Sequence, residues 1–459
     1  MDTRRSSPES RIFGKADARL PALLVAWAPP GAASQDHGVV TPPYTVGRSS
    51  DADLTLTDDK VSKLHFRIRQ TSSGFEIADL DSTNGLFVQG ARVLGKSPLS
   101  SPAVIRVGRA VLVFHDDAAP FLEPPEASPF EFAGRYHTGT LLRDLREATL
   151  SGRHVLLAGP SGTGKELAAR ALARLGASGD QDQDQDPDRD SPRGLIAHNA
   201  ARFASEEEAT ATLFGVAPRV FSNVDPRPGL LEQAHGGALF LDEVHNLPER
   251  VQRSLLRVIE DGQLARIGET KPRRVDVRLI LASNAPGPEH GLAHDLLARL
   301  RKVTLPPLAS RAADIPTIFQ AVLRAALGRN GLDEDAVQPL LGGDHYEAMC
   351  LDGFPSDNVR GLVDLADRLA TRVAAGTPPD KTVTSVFRER FADGSVARRQ
   401  TDGDPGAARS FYEQNRDAIS AAYHECDGNL SATERLLRSR GIRCTRRWLG
   451  VFADRWGLR

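Results

Sequence analysis

The 459-residue chain has few cysteines, no long apolar run and almost no net charge. It has only three cysteines, at positions 350, 426 and 444, which fit neither a metal-binding spacing nor a paired disulfide framework and so indicate a reducing compartment. It lacks any apolar run approaching the roughly 20 residues that a membrane-spanning helix requires. Its 58 basic and 60 acidic side chains nearly cancel, so the chain as a whole has no polyanion-binding signature. We therefore expect a cytoplasmic protein that has no membrane partner.

Changes in composition along the chain predict its domain organisation. The length alone suggests roughly three domains. Short β-branched runs separated by turn residues are typical of an all-β sandwich, whereas alternating strands and longer helices are typical of an α/β domain. We expect a disordered tail at 1–19, a β-sandwich at 20–117, a linker at 118–133, an α/β core at 134–305, a helical lid at 306–375, a second linker at 376–408 and a small all-α unit at 409–459.

The most informative motif follows a predicted buried strand at Val155–Ala158. The next seven residues fit G-x-x-x-x-G-K, and a helix is predicted after them. In this arrangement the backbone N–H groups and the helix N-terminus bind phosphate, and Lys165 reaches the terminal phosphates. Glu166 stands where Ser or Thr usually binds the metal. The predicted nucleotide-binding residues are Gly159, Pro160, Ser161, Gly162, Thr163, Gly164, Lys165 and Glu166.

A second apolar strand ends in two adjacent carboxylates, Asp242 and Glu243. A carboxylate at this position can hold Mg²⁺, directly or through water, and its neighbour can polarise the water that attacks the phosphate. We therefore predict an ATPase with ATP and Mg²⁺ as cofactors, in which Asp242 is the metal residue and Glu243 is catalytic.

The wider α/β region resembles the AAA+ domain of sigma-54-dependent transcription activators. The matching blocks are Ala234 to Val244, Leu255 to Gly262, Arg266 to Arg278, Leu305 to Leu308 and Ala313 to Pro316. The resemblance implies a homo-oligomeric ring, hexameric when active, that hydrolyses ATP and acts on sigma-54 RNA polymerase.

The same resemblance implies roles for four further residues. Asn284 would be the first sensor, orienting water or the γ-phosphate, and Asn199 would pair with the catalytic glutamate as a switch. Arg299 matches an arginine finger that acts on the ATP of the neighbouring subunit. Arg360 resembles the second sensor, which contacts phosphate from the lid.

The predicted β-sandwich resembles a forkhead-associated domain, which reads phosphothreonine. The matching elements are Gly47-Arg48, Ser62 with His65, and Thr83-Asn84-Gly85. Guanidinium and hydroxyl donors on rigid loops suit a phosphate dianion. The resemblance implies that Arg48 and Ser62 hold the phosphate and that Asn84 fixes the peptide backbone, with Lys63 and Thr83 in secondary roles. We expect His65 to lock the loop rather than to bind ligand.

One loop departs from the activator family. The family has a Gly-Ala-Phe-Thr-Gly-Ala loop that touches sigma-54, and this chain has Arg219-Val-Phe-Ser-Asn-Val224 in that register. Phe221 keeps the aromatic ring and Ser222 keeps a hydroxyl, but the flanking small residues are replaced by larger ones. Glycine enters backbone regions that are costly for residues with a Cβ. The sequence therefore predicts weak or absent contact with sigma-54.

The C-terminal residues resemble a Fis-type helix-turn-helix. Residues 435–459 contain eight arginines and one acidic residue, which suits neutralisation of DNA phosphates. Thr445 would cap the recognition helix, and Arg443, Arg446 and Arg447 would contact DNA. A helical dimerisation unit is the alternative, because Gly450 to Phe452 are apolar where such helices are usually polar.

Together these features predict a bacterial transcription regulator in which a phosphothreonine-binding module controls an AAA+ ring. The phosphothreonine partner implies a Ser/Thr kinase circuit. One alternative is a regulator of the same architecture that does not depend on sigma-54. The other is a phosphopeptide-binding scaffold whose ring is structural and slow.

Overall fold

The computed structural model describes residues 19–122, 132–177, 194–218, 226–287, 291–391, 416–426 and 428–439. The chain divides into two compact units, residues 1–391 and 392–459. None of the helices in the described ranges is long and apolar enough to cross a membrane.

The first unit begins with a β-sandwich, as the sequence predicted. Its two sheets have the strand orders β2-β1-β11-β10-β7-β8 and β4-β3-β5-β6-β9, and side chains from both sheets form one core between them. The strands are β1 (Ala22–Trp27), β2 (His37–Val39), β3 (Tyr44–Gly47), β4 (Leu54–Thr55), β5 (Phe66–Thr71), β6 (Gly74–Asp79), β7 (Leu86–Val88), β8 (Ala91–Arg92), β9 (Lys96–Leu99), β10 (Ala103–Val107) and β11 (Ala110–His115).

The α/β core contains a five-stranded sheet of order β13-β16-β19-β12-β20, in which every neighbouring pair is parallel. The carboxyl ends of these strands therefore share one edge, where ligands bind in open α/β sheets. The strands of this region are β12 (Val155–Ala158), β13 (Leu195–Asn199), β14 (Gly215–Val216), β15 (Arg227–Pro228), β16 (Gly237–Asp242), β17 (Gln263–Leu264), β18 (Arg273–Arg274), β19 (Val277–Ser283) and β20 (Arg301–Thr304).

Helices cover both faces of the parallel sheet. Apolar side chains of α1 and α2 pack on one face, and those of α3, α5 and α6 pack on the other. The α-helices of this unit are α1 (Thr138–Leu150), α2 (Lys165–Ala177), α3 (Glu206–Phe214), α4 (Leu230–Gln233), α5 (Glu249–Asp261), α6 (His294–Arg299), α7 (Ile315–Arg329), α8 (Gly343–Asp352), α9 (Val359–Ala374) and α10 (Pro379–Phe391).

Helices α7 to α10 form the lid, and the lid shares its hydrophobic core with the β-sandwich. The outer face of β1 and β11 contributes Ala22, Leu24, Val111 and Val113 to that core. Both strands are therefore buried on both faces, which explains why they are continuous apolar runs rather than alternating ones. Trp27 of β1 stacks on Tyr346 of α8, with their ring centroids 4.7 Å apart.

Polar contacts support this junction. The Tyr136 hydroxyl, just before α1, donates to the backbone oxygens of Val25 at 2.8 Å and Asp36 at 2.6 Å. Arg106 of β10 pairs with Glu347 of α8, whose side chain is 10% exposed. The sandwich is thus built onto the lid, which the sequence did not predict.

Both stretches predicted as linkers contain packed structure. Phe121 and Leu122, within 118–133, pack against the core shared by the sandwich and lid. Helix α10 occupies part of 376–408, so this part is a fourth lid helix and not a linker. The helix forms because Pro379 suits its first turn and because Val383, Val386 and Phe387 share one buried face.

The second unit contains two described helices, α11 (Arg416–Glu425) and α12 (Leu430–Ser439). They pack through Ile419, Ala422 and Leu437, which are almost fully buried. Asn429 caps the start of α12, since its side-chain oxygen accepts a hydrogen bond from the Ala432 N–H at 3.1 Å.

Candidate functional site

The predicted phosphate loop lies between the carboxyl end of β12 and the start of α2. Two of its glycines, Gly162 and Gly164, have positive φ angles of 75° and 100°. A Cβ at Gly162 would also lie 2.2 Å from the backbone oxygen of Asp357, so the tight loop requires glycine there. Left-handed glycines of this kind are what a phosphate loop needs for its N–H groups to turn toward a bound phosphate.

Lys165 is buried beneath this loop and faces charges of both signs. Its ammonium group donates to the backbone oxygens of Gly159 at 2.8 Å and Pro160 at 2.9 Å. Burial lowers the pKa of Lys165, the nearby Asp242 and Glu243 oppose this effect, and Arg360 adds to it. Both predicted carboxylates and the second predicted cation thus lie near enough to Lys165 to influence its charge, as expected at a site for a nucleotide and a metal ion.

The two carboxylates follow β16 at the carboxyl edge of the sheet. The Glu243 N–H donates to Asp242 Oδ1 at 2.8 Å. Glu243 has a left-handed backbone, with φ 52° and ψ 39°, which turns the chain sharply after the strand. A non-glycine residue in this region is uncommon and is often found at functional sites.

The carboxylate of Asp242 is a suitable ligand for Mg²⁺ bound together with a nucleotide. Mg²⁺ is commonly held by one or two carboxylates together with water and substrate phosphates. Asp242 offers such a carboxylate close to Lys165. Glu166 is turned aside into an ion pair of 2.7 Å with Arg170. In the described ranges no group of three or more His, Cys, Asp or Glu side chains is placed to hold a metal ion by itself.

The two asparagines predicted to be catalytic also lie at this edge. Asn199 ends β13 and is paired in register with Asp242 of the neighbouring strand. Its side chain accepts a hydrogen bond from the Ala201 N–H at 2.8 Å, so here it caps the short helix that follows. Asn284 is half-buried and directly follows β19.

Arg299 lies at the opposite edge of the sheet. It ends α6, two residues before β20 begins, and Arg301 of β20 pairs with Val155 at the start of β12. Strand β12 has four residues, and the phosphate loop follows its last residue, Ala158. At roughly 3.3 Å per residue, the loop begins about 13 Å from the start of the strand, near which Arg299 lies. Arg299 is 59% exposed and pairs with Glu260 at 2.8 Å. Its guanidinium is thus remote from its own phosphate loop and open to another subunit.

Three residues within the stretch predicted as the lid, 306–375, hold the phosphate loop, and none of them was predicted to have a role. The Asn358 amide donates to the Ser161 oxygen at 2.9 Å, and its own oxygen accepts from the Leu308 N–H at 2.8 Å. The guanidinium of Arg311, 9% exposed, donates to the Thr163 oxygen at 3.3 Å.

The third lid contact is made by Val359, whose N–H donates to the Gly162 oxygen at 3.0 Å. The sequence block around Arg360 pointed to this region, but only the fold shows which backbone oxygens of the loop these three residues contact.

The predicted phosphothreonine residues lie on three adjoining loops of the sandwich. The Arg48 N–H donates to the Ser62 oxygen at 2.9 Å, and the Ser62 hydroxyl accepts from the Thr83 N–H at 3.1 Å. The Asn84 amide donates to the Lys60 oxygen at 2.8 Å. The side chains of Arg48, Lys63, Thr83 and Asn84 are exposed, and that of Ser62 is half-buried.

His65 locks two of these loops together, as expected. Its ring is fully buried, Nδ1 accepts from the Ser62 N–H at 3.0 Å, and Nε2 lies 3.2 Å from the Gly85 oxygen. Because Nδ1 accepts, Nε2 carries the proton and donates to Gly85. Burial lowers the pKa of His65, which favours this neutral form.

Two predicted sites lie outside the described residues. One is the loop with Phe221 and Ser222, in the range 219–225. The other is the DNA-contacting set Arg443, Thr445, Arg446 and Arg447, in the range 440–459.

Comparisons with known proteins identify two domains of the chain. A family model described as the sigma-54 interaction domain matches residues 135–306, and the FHA domain model matches residues 44–108. The DNA-binding transcriptional regulator NtrC of Escherichia coli (strain K12) is 33% identical over 359 residues, which cover 76% of this chain and 71% of that protein.

Two further proteins are similar to this chain. NtrC of Klebsiella pneumoniae is 33% identical over 57% of this chain and 55% of its own length, so this match spans about half of that relative. A crystal structure of NtrX from Brucella abortus in complex with ADP is 25% identical, with a TM-score of 0.46, and the match covers 70% of this chain and 68% of that one. The chain belongs to the sigma-54-dependent transcription activators, with an AAA+ domain homologous to ATPases and an N-terminal FHA domain.

Proposed function

We propose that this protein is a cytoplasmic transcription regulator that hydrolyses ATP in a ring and is controlled by a phosphothreonine-containing protein. The observation that carries the proposal is the buried Lys165 under the phosphate loop, with Asp242 and Glu243 at the end of β16 and Arg360 beside Gly162 all near enough to influence its charge. This is the arrangement of charges that binds a nucleoside triphosphate and activates water beside its terminal phosphate.

Each of these residues has a separate task. Lys165 and Arg360 bind the negative phosphate oxygens, and Glu243 accepts the proton of the attacking water. Asp242 holds Mg²⁺, directly or through water, and the ion when bound offsets the charge of the phosphates. Asn284 orients the water or the γ-phosphate. Asn199 acts as a switch when its side-chain NH₂ group donates a hydrogen bond to the carboxylate of Glu243.

Arg299 acts on the ATP of the neighbouring subunit. Its position at the far end of β12, a strand about 13 Å long, from its own phosphate loop supports this assignment, because a finger must contact the phosphoryl group itself. The active form is therefore a homo-oligomer, which we propose to be a hexamer.

The FHA domain binds phosphothreonine through Arg48 and Ser62, while Asn84 fixes the peptide backbone. Support comes from the exposed guanidinium of Arg48, which makes no ion pair with any other described residue. A free guanidinium beside a positioned hydroxyl suits a phosphate dianion. Lys63 and Thr83 add secondary contacts. The partner is a protein phosphorylated by a Ser/Thr kinase.

The C-terminal arginines support DNA binding by a Fis-type helix-turn-helix, with a dimerisation unit as the other possibility. The larger residues at 219, 223 and 224 favour a second candidate function, regulation without sigma-54. An ATPase assay separates either regulator from a scaffold with a slow ring, since a scaffold shows little turnover.

Open-complex formation with sigma-54 polymerase then separates the two regulators. The protein is compared with a variant carrying Gly at 219 and 223, Ala at 220 and 224, and Thr at 222. We expect the variant to bind sigma-54 better in the presence of a transition-state analogue of ATP. Equal open-complex formation by both proteins would show that the native loop is competent.

A further inference from the structure

The loop that precedes Ser62 is anchored to the tip of the β10–β11 hairpin. Asp58, whose side chain is fully buried, accepts hydrogen bonds from the Arg109 N–H at 2.7 Å and from its guanidinium at 2.6 and 2.9 Å. It also accepts from the Lys60 N–H at 3.1 Å. Burial opposes ionisation of Asp58, but these bonds outweigh it and lower its pKa to about 2. The peptide-binding loop and the hairpin tip are therefore tied by an ionised, buried carboxylate.

The same hairpin tip touches the lid. Gly343 is the first residue of α8, and a Cβ there would lie 2.0 Å from the backbone oxygen of Arg109. The two backbones are thus in direct contact, with no room for a side chain between them. The neighbouring Gly108 is equally enclosed, since a Cβ there would lie 2.9 Å from Asp58 Oδ2. Close contacts therefore run without a gap from Asp58 through Arg109 to the start of α8.

The other end of α8 leads to the phosphate loop. Ten helical residues span about 15 Å. After α8 the chain turns at Gly353 and at Phe354, which is fully buried and accepts the Asn358 N–H at 2.8 Å. Asn358 in turn holds the Ser161 oxygen of the phosphate loop at 2.9 Å. Helix α8 therefore has the peptide-binding loop at one end and the nucleotide site at the other.

Close packing along its length makes α8 suited to transmit displacement. Tyr346 and Met349 are almost fully buried in the core that the sandwich and lid share. Such a core resists compression, so a shift at one end is carried by the whole helix.

We propose that α8 couples the phosphothreonine site of the FHA domain to the nucleotide site, so that each ligand changes the affinity of the other. This coupling rests on the proposed reading of phosphothreonine by Arg48 and Ser62. Linkage requires the effect to be reciprocal, with the same factor in both directions.

The first experiment measures affinity in the full chain carrying Glu243→Gln, which holds ATP without turnover. The probe is a fluorescein-labelled phosphothreonine peptide library, titrated with and without ATP and Mg²⁺. We expect the two dissociation constants to differ by about five-fold or more. In Gly343→Ala and in Arg109→Ala, the ratio of the dissociation constants measured with and without ATP should be close to one. Gly328→Ala is the matched control, since nothing lies within 4 Å of a Cβ there, and it should keep the ratio.

The second experiment needs no peptide. Hydrogen–deuterium exchange follows the amides of 58–62 and 108–109 when ATP is added to the same proteins. We expect altered exchange in the Glu243→Gln protein and in the Gly328→Ala control, but not in Gly343→Ala. Unchanged exchange in these segments while the phosphate loop becomes protected would overturn the coupling. Absence of peptide binding together with altered exchange would refute only the phosphothreonine assignment.

Discussion

Replacing Asn358 with aspartate tests whether the lid prepares the phosphate loop for ATP. Asn358 is 1% exposed, and its two polar atoms serve two different groups. An ionised aspartate still accepts from the Leu308 N–H, but it cannot donate to the Ser161 oxygen. A lost hydrogen bond costs about 0.5–1.5 kcal/mol, and an unsatisfied buried group costs about 1–3 kcal/mol. We take about 1.4 kcal/mol, which predicts ATP binding weaker by about ten-fold at pH 8.

The assay is a titration with a fluorescent ATP analogue. Asn330→Asp is the matched control, because Asn330 also donates to a backbone oxygen, that of Ala326 at 2.9 Å, but at the far end of α7. The control should lower stability without changing ATP affinity. Lowering the pH should restore part of the affinity of Asn358→Asp, since burial raises a carboxyl pKa and the protonated form can donate to Ser161 again. Equal affinities of Asn358→Asp and Asn330→Asp at pH 8 would refute the reasoning.

Three further predictions follow from the sites. Lys165→Ala should abolish ATP binding, whereas Glu243→Gln should bind ATP without hydrolysing it; undiminished hydrolysis by Glu243→Gln would remove its catalytic role. Arg299→Ala should lower the ATPase rate by about 10³-fold, and mixing it with Lys165→Ala subunits should restore activity above that of either variant if the finger acts between subunits. Arg48→Ala should weaken phosphothreonine-peptide binding by about 1.5–3 kcal/mol while exposed Arg69→Ala leaves it unchanged, as calorimetry with phosphorylated and unphosphorylated peptides can determine.

Local patterns were sufficient to predict the parts of this protein that depend on neighbouring residues in the chain. The phosphate loop and the strand ending at Asp242 are such cases, because a buried strand and a glycine turn are specified within about ten residues. The two-sheet sandwich was predicted on the same basis.

Features that depend on distant contacts were missed. Nothing near Asn358 in the sequence indicates that its amide meets Ser161, which lies almost 200 residues earlier in the chain. The continuous apolar runs of β1 and β11 indicate that both faces of these strands are buried. They do not indicate that the lid covers the outer face. Helix α10 was assigned to a linker because its surroundings are polar, while its short buried face packs into the core that the lid shares with the sandwich.

The core shared by the sandwich and the lid limits how this protein can be divided or recombined. The domains of regulators are often separated at the connecting segment and exchanged between proteins. Here a fragment starting at residue 134 would leave Tyr346 without its stacking partner Trp27 and would uncover the apolar surface against which β1 and β11 pack. Such a surface promotes aggregation. An input domain transplanted onto this ATPase would have to reproduce the outer face of that sheet, and not merely its ligand-binding loops.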